Sequence, residues 1–355
     1  MMKLNEIAGR VTAKLKSIAR SGFSTDIALD MGTSNFRVFV RGAGIKLDEP
    51  SVVALNRARS GTPSVTVGKE AQELIGRNPT HISVVSPIKN GVVAEPDLVD
   101  NLLKYMIRKA TGHNGGHSRV IVGVPADVTG VERRAFMDCV GKVGGKHIFL
   151  VKKAILAAIG ADLQITQPTG HMIVDIGGGT TEIAVVSKSG PAYSASIKVA
   201  GEAFTRAVAT HIERTTNVVI GLPTAEHLKC DIGVALLNGS ASAKKDVIGT
   251  SNGASKKITV SEAEIFEALN EGIGAIAEAL REALRRTDPT LVSDIAEHGI
   301  MLTGGGALLK KLDKRLEQEV QIKIRVAQDP LSSVVLGAGR LLTDTALLKQ
   351  IPIEE

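Results

Sequence analysis

Along the first two dozen residues, apolar positions recur with a helical period. At about 100° per residue, Leu4, Ile7, Ala8, Val11, Leu15, Ile18 and Ala19 fall within one arc of about 120°. Lys3, Glu6, Arg10, Lys14, Lys16 and Arg20 lie outside it. The pattern predicts an amphipathic helix, ended by Ser21-Gly22, with five basic residues against one acid. From Thr25 the rhythm changes to short apolar runs separated by turn residues. Residues 26–30 read as a strand, 31–34 as a tight turn and 35–40 as the returning strand. Further strands are expected at 45–47, 51–55, 119–124 and 148–151, and helical spacing marks 97–111, 132–143 and 154–161.

The opening unit then recurs. Residues 171–175 form an expected strand, 176–181 a glycine- and threonine-rich turn, and 182–187 the returning strand. Two such units in one chain predict an internal duplication of a β-hairpin core. Helices are expected at 202–215, 261–287 and 307–318, with a strand at 299–302 before the last. Alternating strands and helices in two similar halves predict an α/β protein with a cleft between the halves. The Ser-, Gly-, Ala- and Lys-rich stretch 238–257 reads as a surface hairpin.

Composition narrows the function classes. The 355 residues leave room for two domains, and 43% hydrophobic with 23% charged residues suits a soluble globular protein. No apolar run approaches the roughly 18–20 residues of a membrane span. The chain's start also lacks a secretory signal, so a cytoplasmic location is expected. Cys139 and Cys230 are the only cysteines, which fits a reducing compartment. The net charge is a modest +6, with basic residues gathered at the N-terminus and around 244–257. Seven Phe, two Tyr and no Trp offer no stacking platform for single-stranded nucleic acid, and no nucleic-acid partner is expected.

The candidate chemistry lies in the turns. Asp30 ends a strand before Gly32-Thr33-Ser34-Asn35, and Asp175 ends another before Gly177-Gly178-Gly179-Thr180-Thr181. Turns rich in Gly and hydroxyl residues let backbone N–H groups face an anion. The two carboxylates suit a hydrated Mg²⁺ that bridges phosphates. Thr303-Gly304-Gly305-Gly306-Ala307 follows a strand and opens an expected helix, where backbone approaches a phosphate or nucleoside closely. Each cluster alone is an ordinary turn; the three in this order and spacing are specific.

In these motifs the chain resembles the actin, sugar-kinase and heat-shock chaperone ATPase superfamily, and within it the bacterial actin-like MreB family. Residues 44–54, Pro87-Ile88-Lys89-Asn90-Gly91-Val92, Val124-Pro125, Glu132-Arg133-Arg134-Ala135, 174–182 and 302–307 carry the likeness, which spans roughly residues 25–345. The resemblance implies two lobes, each with a ribonuclease-H-like core and a small subdomain, and ATP with Mg²⁺ in the interlobe cleft. The implied division is a helix at 1–22, one lobe at 23–166 completed by 336–355, and a second at 167–335. The small subdomains would occupy about 56–96 and 204–270. By motif, Asp30, Gly32, Thr33, Ser34 and Asn35 form the first phosphate loop. Asp175, Gly177, Gly178, Gly179, Thr180 and Thr181 form the second, with Thr181 also serving the reaction. Gly304, Gly305 and Gly306 lie against the adenosine, and Glu226 with Lys229 reaches the ribose and base. At i and i+3 these two share a helix face; read without the resemblance, they make a surface ion pair.

Two departures stand out. MreB proteins typically carry Glu-Glu-Pro where this chain has Lys152-Lys153-Ala154. The second Glu of that family orients the attacking water, and an ammonium has donors but no acceptor. Weak ATPase activity at most is therefore expected. The second departure is residues 112–117, where some relatives insert a hydrophobic loop; here they read as an exposed, metal-free loop with two histidines. Membrane attachment would then fall to Leu4, Ile7, Val11, Leu15 and Ile18 on an anionic surface. The implied function is a filament, built as paired protofilaments at the inner face of the membrane, that organises cell shape or wall synthesis. Further expected partners are a hydrolysing paralogue or membrane scaffold proteins. The alternatives are an organelle-positioning filament, such as one serving magnetosomes, and a small-molecule kinase of the same superfamily.

Overall fold

Ile27–Met31 and His171–Ile176 are apolar on both faces, and the structure buries both strands at the centre of a sheet. In this computed structural model the described residues are 25–354 apart from 58–63, 113–115, 189, 238 and 240–242. The amphipathic segment 1–22, with Leu4, Ile7, Val11, Leu15 and Ile18, lies outside them.

The two sheets share one topology. The first runs Gly145–Lys152, His117–Val124, Ile27–Met31, Asn35–Val40, Gly44–Pro50. The second runs Ile324–Val326, Ile300–Thr303, His171–Ile176, Thr181–Ser187, Gly190–Ile197. In each, the first three strands are parallel and the hairpin and third strand add antiparallel. The duplication seen in the motifs is therefore a duplication of the whole sheet. A small sheet of Val53–Asn56, Ser64–Val67 and Ile82–Val85 hangs from the first half. The hairpin Lys244–Ser251 with Ala254–Ser261 sits on the second, turning at Asn252-Gly253.

Capping boxes fix two long helices at their starts. Thr129 and Glu132 open Gly130–Lys142, and Ser261 and Glu264 open Glu262–Arg286. The expected helix 307–318 is instead broken into a 3-10 turn, Gly305–Leu308, and a helix, Leu312–Val320. The break sits at Lys311, whose φ of 60° is left-handed, and Ala235 N–H donates to the neighbouring Lys310 carbonyl at 2.8 Å. His117, expected in an exposed loop, is fully buried at the start of its strand, with Nδ1 3.2 Å from Thr25 O. Its register opposite Gly145 draws it into the sheet. The helix expected through Glu226 and Lys229 spans Leu222–Ile232, whereas the helices Pro289–His298 and Ser333–Thr343 were not anticipated from the sequence.

Each half has its own core, and a third cluster joins them. That joint is built from Lys153–Gly160 and Ser333–Thr343. The first is buried from Lys153 to Ile159, so its Ala-rich composition reflects contact on every side. The helices touch backbone to backbone. A Cβ on Gly160 would collide with Ser333 O, and one on Gly337 with Leu156 O.

Candidate functional site: the interlobe cleft

Because the sheets share a topology, their two Asp-ended strands bring like turns to one place. In the first turn Gly32 N–H donates to Asn35 O at 3.1 Å, and in the second Gly177 N–H donates to Thr180 O at 2.9 Å. The second turn lies directly on the first: a Cβ on Gly178 would strike Ser34 Oγ. Gly304, at φ 79°, turns the third loop back against Ile176 O, a conformation that favours glycine. Between the three loops opens a cleft of about 550 Å³, a size suited to a small-molecule ligand.

Asp30, Gly32, Thr33, Ser34, Asn35, Asp175, Gly177, Gly178, Gly179, Thr180, Glu226, Lys229, Gly304, Gly305 and Gly306 all line this cleft, and so does Lys153. Thr181 stands apart. It is fully buried, and its hydroxyl donates to Val199 O at 2.6 Å, inside the second half. The alternation of a strand explains this: Thr181 is the first residue of Thr181–Ser187 and takes the face opposite the turn.

Glu226 and Lys229 both face the cleft and also pair with each other at 2.7 Å, so the ligand-facing and ion-pair readings coexist. Lys229 Nζ donates further to Gly201 O at 3.0 Å and Thr205 Oγ1 at 3.1 Å. Burial opposes ionisation of Glu226, but hydrogen bonds from Lys229 and Thr205 hold its carboxyl below the usual range. It is thus an anionic acceptor suited to hydroxyl groups.

The cleft floor is where charge concentrates. Burial, then the charge of nearby Asp30, pushes the Asp175 carboxyl up to about 7. A buried Asp175 carboxyl beside Asp30 fits a cation between the two, and Asp30 Oδ1 accepts no hydrogen bond among the described residues. Asp30 and Asp175 would therefore hold a hydrated Mg²⁺, whose charge would offset that of a bound anion. Two side-chain cations already stand there. Lys153 Nζ is 3.1 Å from Asp30 Oδ1 and 3.3 Å from Met31 O. Arg37 Nη1 is 3.6 Å from Asp30 Oδ2, while its Nε donates to Asp48 at 3.0 Å. The lysine stem fits because Gly123 has no side chain beneath it. Arg37 escaped the sequence reading; strand alternation placing it opposite Asp30 was the available signal.

One more buried acid was missed. Glu182 accepts from Ala126 N–H at 2.9 Å and from Ser196 Oγ at 2.8 Å, tying one half to the other. Burial raises its pKa.

Comparison with known proteins agrees with this architecture. The sequence model of the MreB/Mbl protein family matches residues 24–350. The cell shape-determining protein MreB of Escherichia coli K12 is 40% identical over 329 residues, covering 91% of this chain and 94% of its own length. Among solved structures, MreB5 of Spiroplasma citri bound to ADP superimposes with a TM-score of 0.85 at 32% identity, covering 92% of this chain and 98% of that one. The MamK double helical filament subunit gives 0.76 at 20% identity, covering 90% and 99%, a likeness of fold. Duplicated sheets, paired glycine-rich turns and these matches make the fold actin-like, and the chain belongs to the MreB/Mbl family.

Proposed function

We propose that the chain is an ATP-binding, actin-like cytoskeletal protein that assembles into membrane-associated filaments and hydrolyses ATP weakly. The observation that carries the nucleotide part is the cleft, in which two matching turns meet over Asp30 and Asp175. The Spiroplasma citri relative was solved with ADP and with AMPPNP, which supports the same ligand here. Filament formation is supported by the family and by the filament of MamK. Cell shape is the process that the name of the Escherichia coli relative favours.

Within this reading the turns' N–H groups bind the phosphates, and Glu226 with Lys229 orients the nucleoside. Bound Mg²⁺ would neutralise the charge that develops on transfer of the terminal phosphoryl group. Lys153 has no acceptor for a proton of water. Both Glu182 oxygens are already engaged, by Ala126 and Ser196. Orientation of the attacking water is therefore the weak point of this site. Purified protein given ATP and Mg²⁺ should form paired protofilaments in negative stain and release phosphate slowly. Persistent monomers across nucleotide and lipid conditions would refute the filament reading. Rapid ADP production that depends on an added sugar or acid would favour a kinase.

A further inference from the structure

We propose that Lys153, with Arg37, is a built-in counter-ion that lets this cleft bind a nucleoside triphosphate without a divalent metal. The inference rests on the nucleotide reading above and adds what the site does with charge.

At the cleft floor two acidic side chains, Asp30 and Asp175, stand with two basic ones, Lys153 and Arg37. All four are buried. The cations flank opposite oxygens of Asp30: Lys153 approaches Oδ1 at 3.1 Å and Arg37 approaches Oδ2 at 3.6 Å. A floor of two carboxylates alone would repel a triphosphate and need an added cation to bridge them. Here Lys153 and Arg37, the latter shared with Asp48, offset part of that repulsion before any ion is added.

Lys153 is also placed to act on the ligand itself. Its ammonium has three N–H groups. One is directed at Met31 O, at 3.3 Å, and the ammonium makes an ion pair with Asp30. The group lines the open cleft, so the remaining donor is available to a phosphate oxygen. The stem packs over Gly123, and the side chain as a whole is buried. Charge-assisted contacts of this kind strengthen when water is excluded.

The test is the affinity for ATP by titration calorimetry, in EDTA and in Mg²⁺, with wild type, Lys153→Met and Lys153→Arg. Wild type should bind with and without metal to within about threefold. Lys153→Met should weaken about 10- to 100-fold in EDTA, the range expected for a lost charged hydrogen bond, and recover in Mg²⁺. That recovery shows that the variant is folded. Lys153→Arg keeps the charge and should retain most metal-free binding. Wild type that binds only with Mg²⁺ would overturn the proposal while leaving the nucleotide reading intact. Equal affinities of wild type and Lys153→Met in EDTA would also overturn it. Wild type that binds in neither buffer would overturn both.

Discussion

Lys152 Nζ lies 3.6 Å from Glu354 Oε1, and the backbone N–H of Glu354 donates to Leu150 O at 2.9 Å. The adjacent lysines of Lys152-Lys153 thus do different work. The change from strand to helix separates them: Lys152 ends the strand Gly145–Lys152 and reaches Glu354, whereas Lys153 opens the helix and enters the cleft. Arg133 also reaches Glu354, at 3.0 Å. Lys152→Glu should lower stability by about 1 kcal/mol, the scale of a partly exposed ion pair. Pairing it with Glu354→Lys should recover part of that loss. Urea unfolding of the four-member cycle measures the coupling, and strict additivity would show that the contact contributes nothing.

The hydrolysis prediction follows from this separation of roles. Lys153→Glu with Ala154→Pro, and Lys152 left in place, should raise steady-state phosphate release by about 10²-fold, the lower range of a general-base effect. The new carboxylate would join Asp30 and Asp175, so the variant should need millimolar Mg²⁺ to bind ATP. A wild-type rate at or above the variant's would mean that another residue handles the water.

Residues 1–22 should bind anionic vesicles as an interfacial helix. The five basic side chains contribute on the order of 1 kcal/mol each before screening, and the apolar arc adds burial. Among the described residues no helix is long and apolar enough to cross a membrane. Val11→Glu with Leu15→Glu should abolish co-sedimentation with phosphatidylserine vesicles. Equal pelleting of wild type and variant would reject the idea.

His171 predicts a pH dependence of folding. Burial, then the neighbouring His298 ring at 5.6 Å, lowers its pKa, with Asp294 opposing and Arg325 reinforcing the shift. Its Nε2 has no hydrogen-bond partner among the described residues. The folded state therefore resists a proton that the unfolded chain accepts near the ordinary histidine value of about 6.5. Stability should be full above that pH and fall as pH drops below it, until the folded form also titrates. His171→Phe should flatten this slope between pH 7 and 5 in urea midpoints. An unchanged slope would place the proton uptake elsewhere.

The hairpins were legible because each announces itself locally, by an Asp, glycines and an apolar strand on either side. Their duplication then gave the sheet topology and most of the cleft. Thr181 was placed in the second phosphate loop because the motif runs through it, whereas strand alternation turns its hydroxyl toward Val199. His117 looked like loop among glycines, yet its strand begins two residues earlier than the expected 119–124. Strand pairing alone could have placed Arg37 opposite Asp30, but the Lys153 that meets the same carboxylate comes near only through the fold. Glu182 gave no local signal, because its partner Ala126 lies 56 residues away in sequence. The break at Lys311 likewise depends on the distant Ala235.

The crossing of Lys153–Gly160 with Ser333–Thr343 sets how this gene can change. Where two backbones meet with no side chain between them, even a single methyl must displace a main chain, and overpacking of that kind costs about 1–3 kcal/mol or more. Gly160 and Gly337 should therefore tolerate substitution as poorly as Asp175, though neither lines the cleft. Saturation mutagenesis scored once for soluble yield and once for ATP binding would separate them. The two glycines should fail the first screen, and Asp175 should pass it and fail only the second. Sequence drift in such a chain is then confined from two directions, by chemistry at the floor and by clearance at the joint behind it.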